Sequence, residues 1–119
     1  MIRTRRLYDP EEPGEGIRVL VDRLWPRGIS KEKAGWDKWV RDAAPSDQLR
    51  KWYNHDPAKW EEFKQLYENE LADKQVLLKE LLRLESEHET LTLLYSSKEK
   101  EINNAIALKE FLVKRSLSD

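Results

Sequence analysis

The chain has 119 residues, 22 basic and 23 acidic ones for a net charge of −1, and no cysteine. That length suits one domain, residues 1–119, with a real core. Near-neutrality offers no bulk field for a polyanion, so any anion site must be local. The missing cysteines exclude disulfides, thiol catalysis and cysteine-ligated metals.

Hydrophobic residues make up 39% and charged residues 38% of the chain, and the apolar residues recur in periodic segments, which argues for folding. Met1 leads into Ile-Arg-Thr-Arg-Arg with no apolar run behind it, so no secretory signal is expected. No stretch approaches the ~18 apolar residues of a membrane span. The expectation is a soluble cytoplasmic protein.

Residues 2–8 suit a strand, and the Pro- and Gly-bearing acidic stretch 9–16 suits a surface loop. Residues 17–24 predict the central strand, with Val19, Leu20 and Val21 apolar on both faces as in a helix-covered parallel sheet. A link of ~8 residues is short for a helical crossover, so the first two strands form either a hairpin or an abbreviated crossover.

Ser30 caps a short turn over 31–34. Residues 36–44 fit helical spacing through Trp36, Trp39, Val40 and Ala43, and a strand face through Asp37, Trp39 and Arg41. Ser46 caps a helix over 47–53, and Asp56-Pro57 starts the next, with Trp60, Phe63, Tyr67 and Leu71 on one face. A further amphipathic helix spans 75–88, Leu91–Tyr95 reads as an interior strand, and Ile102 onward as a final helix. Together these predict a three-layer α/β fold: a small, mainly parallel sheet flanked by helices, with a helical insertion at about 47–88.

Ligands of open α/β sheets bind at the carboxyl ends of the strands. There Arg23 and Arg27 stand in a loop narrowed by Trp25, Pro26 and Gly28, which presents Arg27 rigidly to an anion or phosphate. Trp25 is the tryptophan best placed to line a pocket. Asp22 ends a buried strand, where either structural pairing with Arg23 or a loop amide, or general-base duty, would suit it. His55, beside a helix start, is a candidate for proton transfer or merely part of a capping segment.

Ser96, Ser97 and Lys98 would face the same hollow if the last strand neighbours the central one in parallel, where hydroxyls and a lysine suit phosphate or carboxylate contact. Asn104, like Asn103, suits either capping or ligand contact. The two histidines have no metal-ligand spacing, so no metal is expected, and no cofactor is implied.

The block Val21-Asp22-Arg23-Leu24-Trp25-Pro26-Arg27-Gly28, with Ala44-Pro45-Ser46, Leu49-Arg50-Lys51-Trp52-Tyr53, His55-Asp56, Leu93-Leu94-Tyr95 and Asn103-Asn104-Ala105, resembles the YeaO-like branch of the bacterial domain-of-unknown-function family 488. The resemblance spans nearly the whole chain and implies a fold more than a function, because the family has no settled activity. It implies parallel first and second strands, with the helix between them lost, and a strand at 37–41. Longer relatives carry cysteine and histidine where this chain has Tyr95, Asn103 and Asn104, so thiol or metal chemistry inferred for them does not transfer.

The favoured expectation is a site for a phosphate-bearing or nucleotide-like anion, formed by Arg23, Trp25, Arg27, Ser96, Lys98 and Asn104, with Asp22 and His55 as acid/base candidates. A nucleic-acid-associated or regulatory module would instead use Arg3, Arg5, Arg6, Arg23 and Arg27 as one basic face. A protein-interaction domain would expose the aromatics of 47–71.

Overall fold

A computed structural model that describes residues 1–118 contains four strands and four α-helices, joined by loops and 3-10 turns. The strands are β1 (Ile2–Arg6), β2 (Ile17–Leu20), β3 (Lys38–Trp39) and β4 (Leu91–Tyr95), and the helices are α1 (Asp47–Tyr53), α2 (Trp60–Ala72), α3 (Gln75–His88) and α4 (Asn104–Ser118). The sheet order is β1-β4-β2-β3 and every pairing is parallel. With β4 between β1 and β2, the hairpin alternative falls and the abbreviated crossover stands.

Strand alternation assigns the faces. Ile2, Ile17, Val19, Val21, Leu91, Leu93 and Tyr95 join the main core, where Leu49, Phe63, Tyr67, Leu78, Leu81, Leu108 and Leu112 meet them from all four helices. The opposite face has no α-helix. Near the strand ends, Leu7, Leu20 and Leu94 are covered by Ile29, Trp36 and Trp39. Near the strand starts, the 9–16 loop lowers a buried Glu15 onto the face. Its carboxylate accepts from Arg5 Nε at 2.5 Å and Arg18 Nε at 2.7 Å, and its carbonyl accepts from Thr92 Oγ1 at 2.6 Å. A polar clamp thus takes the place of a crossover helix. The three layers are helices, sheet, and this covering of loops and a 3-10 turn at Lys31–Lys33.

Several boundaries differ from the sequence expectation. The central strand stops at Leu20, not residue 24, because Asp22 turns its side chain into the β4 loop. Residues 36–44 contain the expected strand only at Lys38–Trp39, paired with Val19 and Leu20, and then a 3-10 turn at Arg41–Ala43. The Pro57 start is a 3-10 turn, Pro57–Lys59, capped by Asp56 and running into α2. The final helix begins at Asn104 and not at Ile102, since the Asn103 side chain accepts from Ile106 N at 2.9 Å as its cap. Among the described residues no helix is long and apolar enough to cross a membrane.

Candidate functional site

The register aligns the carboxyl ends: Arg6 lies opposite Tyr95, and Leu20 opposite Leu94. The loops after β1, β2 and β4 therefore emerge at one edge of the sheet, and the α1–α2 segment closes the hollow between them. The resulting cavity, of about 810 Å³, is lined by all eight candidate residues: Asp22, Arg23, Trp25, Arg27, His55, Ser96, Lys98 and Asn104.

Charge is the cavity's main chemical feature. Arg6, Arg23, Arg27, Arg50, Lys51 and Lys98 line it, and Asp22 is the one carboxylate among the lining residues. Several of the cations are held in place. Arg6 donates to the Ser97 carbonyl at 3.1 Å and lies 4.9 Å over the Tyr8 ring, whose hydroxyl donates to the Arg27 carbonyl at 2.8 Å. Arg23 donates to the Pro45 carbonyl at 3.4 Å and lies 3.8 Å from exposed Asp47, a pair too long and solvated to neutralise it. The side chains of Arg27, Lys51 and Lys98 have no hydrogen-bond or ion-pair partner among the described residues.

The loop carrying Arg23 and Arg27 is fixed from several sides. Trp39 Nε1 donates to the Asp22 carbonyl at 2.7 Å, and Arg41 Nε to the Arg23 carbonyl at 3.2 Å. Trp25 Nε1 donates to the Ile29 carbonyl at 2.6 Å, and its ring meets Trp36 and Trp39 edge-on with centroids 5.0 and 5.5 Å away. Pro26 is buried and Gly28 turns the chain at φ +76°. Trp25 remains 36% exposed, so it is both an anchor of the loop and part of the wall.

Asp22 joins three elements. Its carboxylate accepts from Ser96 N at 2.9 Å, Ser96 Oγ at 2.7 Å and Asn104 Nδ2 at 3.2 Å. Asn104 Nδ2 also reaches the Val21 carbonyl at 3.1 Å. The end of β2, the end of β4 and the start of α4 are thereby clasped, with the loop amide of Ser96, and not Arg23, as partner. His55 is exposed and follows Asn54 in a left-handed pair, at φ 56° and 45°.

Residues 1–119 match the family model DUF488-N3i, described as the inactive DUF488-N3 subclade. The chain belongs to this family. It is 40% identical to the uncharacterised YeaO of Escherichia coli over 111 residues, 93% of this chain and 96% of that protein. It is 45% identical over 76 residues to the uncharacterised Rv3073c of Mycobacterium tuberculosis and to Mb3100c of Mycobacterium bovis, spanning 64% of the length of each. No solved structure matches.

Within this DUF488-N3i chain, sequence reasoning missed part of the cavity. Arg6 was legible only as one arginine of a basic strand, and Arg50, Lys51 and Tyr53 only as helix surface and core. Tyr8 is likewise outside the candidates, whereas Ser97, expected beside Ser96 and Lys98, does line the cavity. The two alternatives also meet the structure. Arg5 is buried beneath Glu15 and so is withdrawn from any shared basic face. Tyr53, Phe63 and Tyr67 are buried and Trp52 and Trp60 half-buried, leaving only Leu66 as an exposed large apolar residue of 47–71.

Proposed function

We propose that this chain binds a small phosphate-bearing molecule in the cavity at the strand carboxyl ends and holds it without transforming it. The observation that carries this reading is the imbalance of the lining: six cations against one carboxylate, in a cavity of about 810 Å³. That volume fits a metabolite-sized ligand. Charge-assisted contacts from guanidinium groups suit phosphate oxygens.

Two points favour binding over chemistry. Both Asp22 oxygens already accept hydrogen bonds from Ser96 or Asn104, which leaves the carboxylate poorly placed as a general base. The family description itself carries the word inactive. In this reading Asp22 is a clasp and His55 a wall residue.

The test is calorimetric titration and thermal shift with inorganic phosphate and phosphorylated metabolites, on the wild type and on Arg27→Ala and Lys98→Ala. Binding to the native state raises the melting temperature with ligand concentration. Each substitution should cost about 1.5–3 kcal/mol of binding, roughly tenfold to a hundredfold in Kd. Neither should change unliganded stability by more than about 0.5 kcal/mol, because both side chains are exposed and unpartnered. Absence of any phosphate-dependent shift at millimolar concentration refutes the proposal, as does full binding by both variants.

A further inference from the structure

Three of the eight large apolar residues that stand exposed among the described ones line the same cavity: Tyr8 at 41%, Leu24 at 60% and Trp25 at 36%. The other five, Met1, Leu66, Val76, Val113 and Leu117, do not line it. Single exposed apolar side chains are ordinary, but three around one charged cavity form a patch that needs a physical reason. A bare phosphate gains nothing from them, because cations and not apolar surface serve its oxygens.

The patch is rigidly mounted. Tyr8 follows β1, Leu24 and Trp25 follow β2, and the Tyr8 hydroxyl ties the two loops by donating to the Arg27 carbonyl at 2.8 Å. The Trp25 indole is held by the Ile29 carbonyl at 2.6 Å and by the edge-on rings of Trp36 and Trp39, which keeps it at the cavity wall. Above Tyr8 lies the Arg6 guanidinium, 4.9 Å from the ring centroid. A guanidinium over a ring makes a flat, cationic platform. Planar π systems stack on such platforms, whereas an aliphatic chain would use the apolar area but not the planarity.

We propose that the part of the ligand beyond its phosphate is a planar heteroaromatic ring held against Tyr8, Leu24 and Trp25, so the ligand class is a free nucleotide. The inference rests on the phosphate-binding reading above. A cavity of about 810 Å³ takes a single nucleotide, and a chain of net charge −1 offers no extended field for a longer strand.

The experiment compares adenosine 5′-monophosphate, ribose 5-phosphate and hexyl phosphate by calorimetry on wild type, Tyr8→Leu, Tyr8→Phe and Leu24→Ser. Any base serves as the probe, since every base has a π face. Wild type should bind the nucleotide roughly tenfold to a hundredfold more tightly than ribose 5-phosphate, with hexyl phosphate well below the nucleotide. Tyr8→Leu keeps apolar area without the ring, and Leu24→Ser removes a side chain exposed enough to spare the unliganded melting temperature. Both should shrink the preference for the nucleotide at least threefold. Tyr8→Phe loses the tie to Arg27 but keeps the ring, and should retain the preference.

Equal binding of the nucleotide and ribose 5-phosphate to wild type overturns the inference while leaving phosphate binding standing. Hexyl phosphate binding as tightly as the nucleotide overturns it in favour of an aliphatic phosphate. An undiminished preference in either Tyr8→Leu or Leu24→Ser, or a preference lost in Tyr8→Phe, overturns the assignment to this patch. Failure of all three compounds to bind wild type removes the phosphate-binding reading, and this inference with it.

Discussion

Asp22→Ala should be among the most damaging single changes at the strand ends, although the side chain is only partly buried. The alanine leaves Ser96 N, Ser96 Oγ and Asn104 Nδ2 without the carboxylate they now reach at 2.9, 2.7 and 3.2 Å. Hydrogen bonds to a charged group contribute about 1.5–3 kcal/mol each, but these three share one acceptor group and have some access to water. A loss of about 2–4 kcal/mol is therefore expected. Asp22→Asn is the discriminating control. Its amide oxygen can still accept from Ser96, while its NH2 group meets the NH2 of Asn104, so one bond is lost and about 1–2 kcal/mol with it. Ser96→Ala completes a double-mutant cycle with Asp22→Ala, and a coupling of about 1 kcal/mol is expected for groups in one network. Urea unfolding followed by tryptophan fluorescence reads the wild type, the three single variants and the double variant. A cost below about 0.5 kcal/mol for Asp22→Ala, or strict additivity in the cycle, refutes the clasp.

Two further expectations concern the helix-free face. At Gly16, φ is +64° and an added Cβ would lie 2.0 Å from the Thr90 carbonyl oxygen, which already accepts from Ile17 N. Backbone cannot yield as a flexible side chain would, so Gly16→Ala should cost about 3 kcal/mol or more in urea unfolding; a neutral result would mean this crossing is looser than it stands. At Glu15, burial alone would raise the carboxyl, but hydrogen bonds from Arg5 and Arg18 outweigh it and hold the group below its ordinary value of 4.5. A depressed carboxyl stabilises the fold above the unfolded-state value, and that contribution disappears as pH falls through the native value. Stability should therefore decline below about pH 4.5. Glu15→Gln should be less stable by about 3 kcal/mol at neutral pH and flatter on the acid side, because it leaves Arg5 buried without its charge partner. An unchanged acid slope in urea midpoints between pH 6 and pH 2.5 would count against this.

What the sequence made legible was whatever depends on a local pattern. Val19, Leu20 and Val21 announced a strand with two apolar faces, and the structure puts Val19 and Val21 under the helices and Leu20 under the tryptophans. Asp56-Pro57 announced a helix start and Leu91–Tyr95 a buried strand. The ambiguity at 36–44 had a physical source. Trp36 and Trp39 are spaced for a helix, yet they serve as a lid on Leu20 and Leu94, and lid residues obey no period. Lys38–Trp39 forms a strand because Val19 and Leu20 offer a free edge, which is tertiary information. Arg6 is indistinguishable from Arg3 and Arg5 until register sets it opposite Tyr95, at the ligand edge. Tyr53 reads as core from its spacing, and it is core. Its buried hydroxyl finds no hydrogen-bond partner among the described residues, and no sequence pattern reports a missing hydrogen bond.

The two faces of the sheet connect to the site in different ways. On the helical face, a continuous apolar core fixes α1, α2 and α4, and so places Arg50, Lys51, Tyr53 and Asn104. On the other face, a loop and a tryptophan cluster do the positioning with far less apolar area. There the directional contacts matter more: Trp39 to the Asp22 carbonyl, Arg41 to the Arg23 carbonyl, Tyr8 to the Arg27 carbonyl. Each of these fastens backbone and leaves the guanidinium of Arg27 unengaged. A stretch that needed its arginines for its own stability would have tied them to carboxylates, as Arg5 and Arg18 are tied to Glu15. The same chain neutralises arginines at the strand starts with a buried carboxylate. At the strand ends Arg23 and Arg50 share only the exposed Asp47, at 3.8 and 3.6 Å, and Arg27 has no carboxylate partner among the described residues. The proposed anion site follows from that asymmetry.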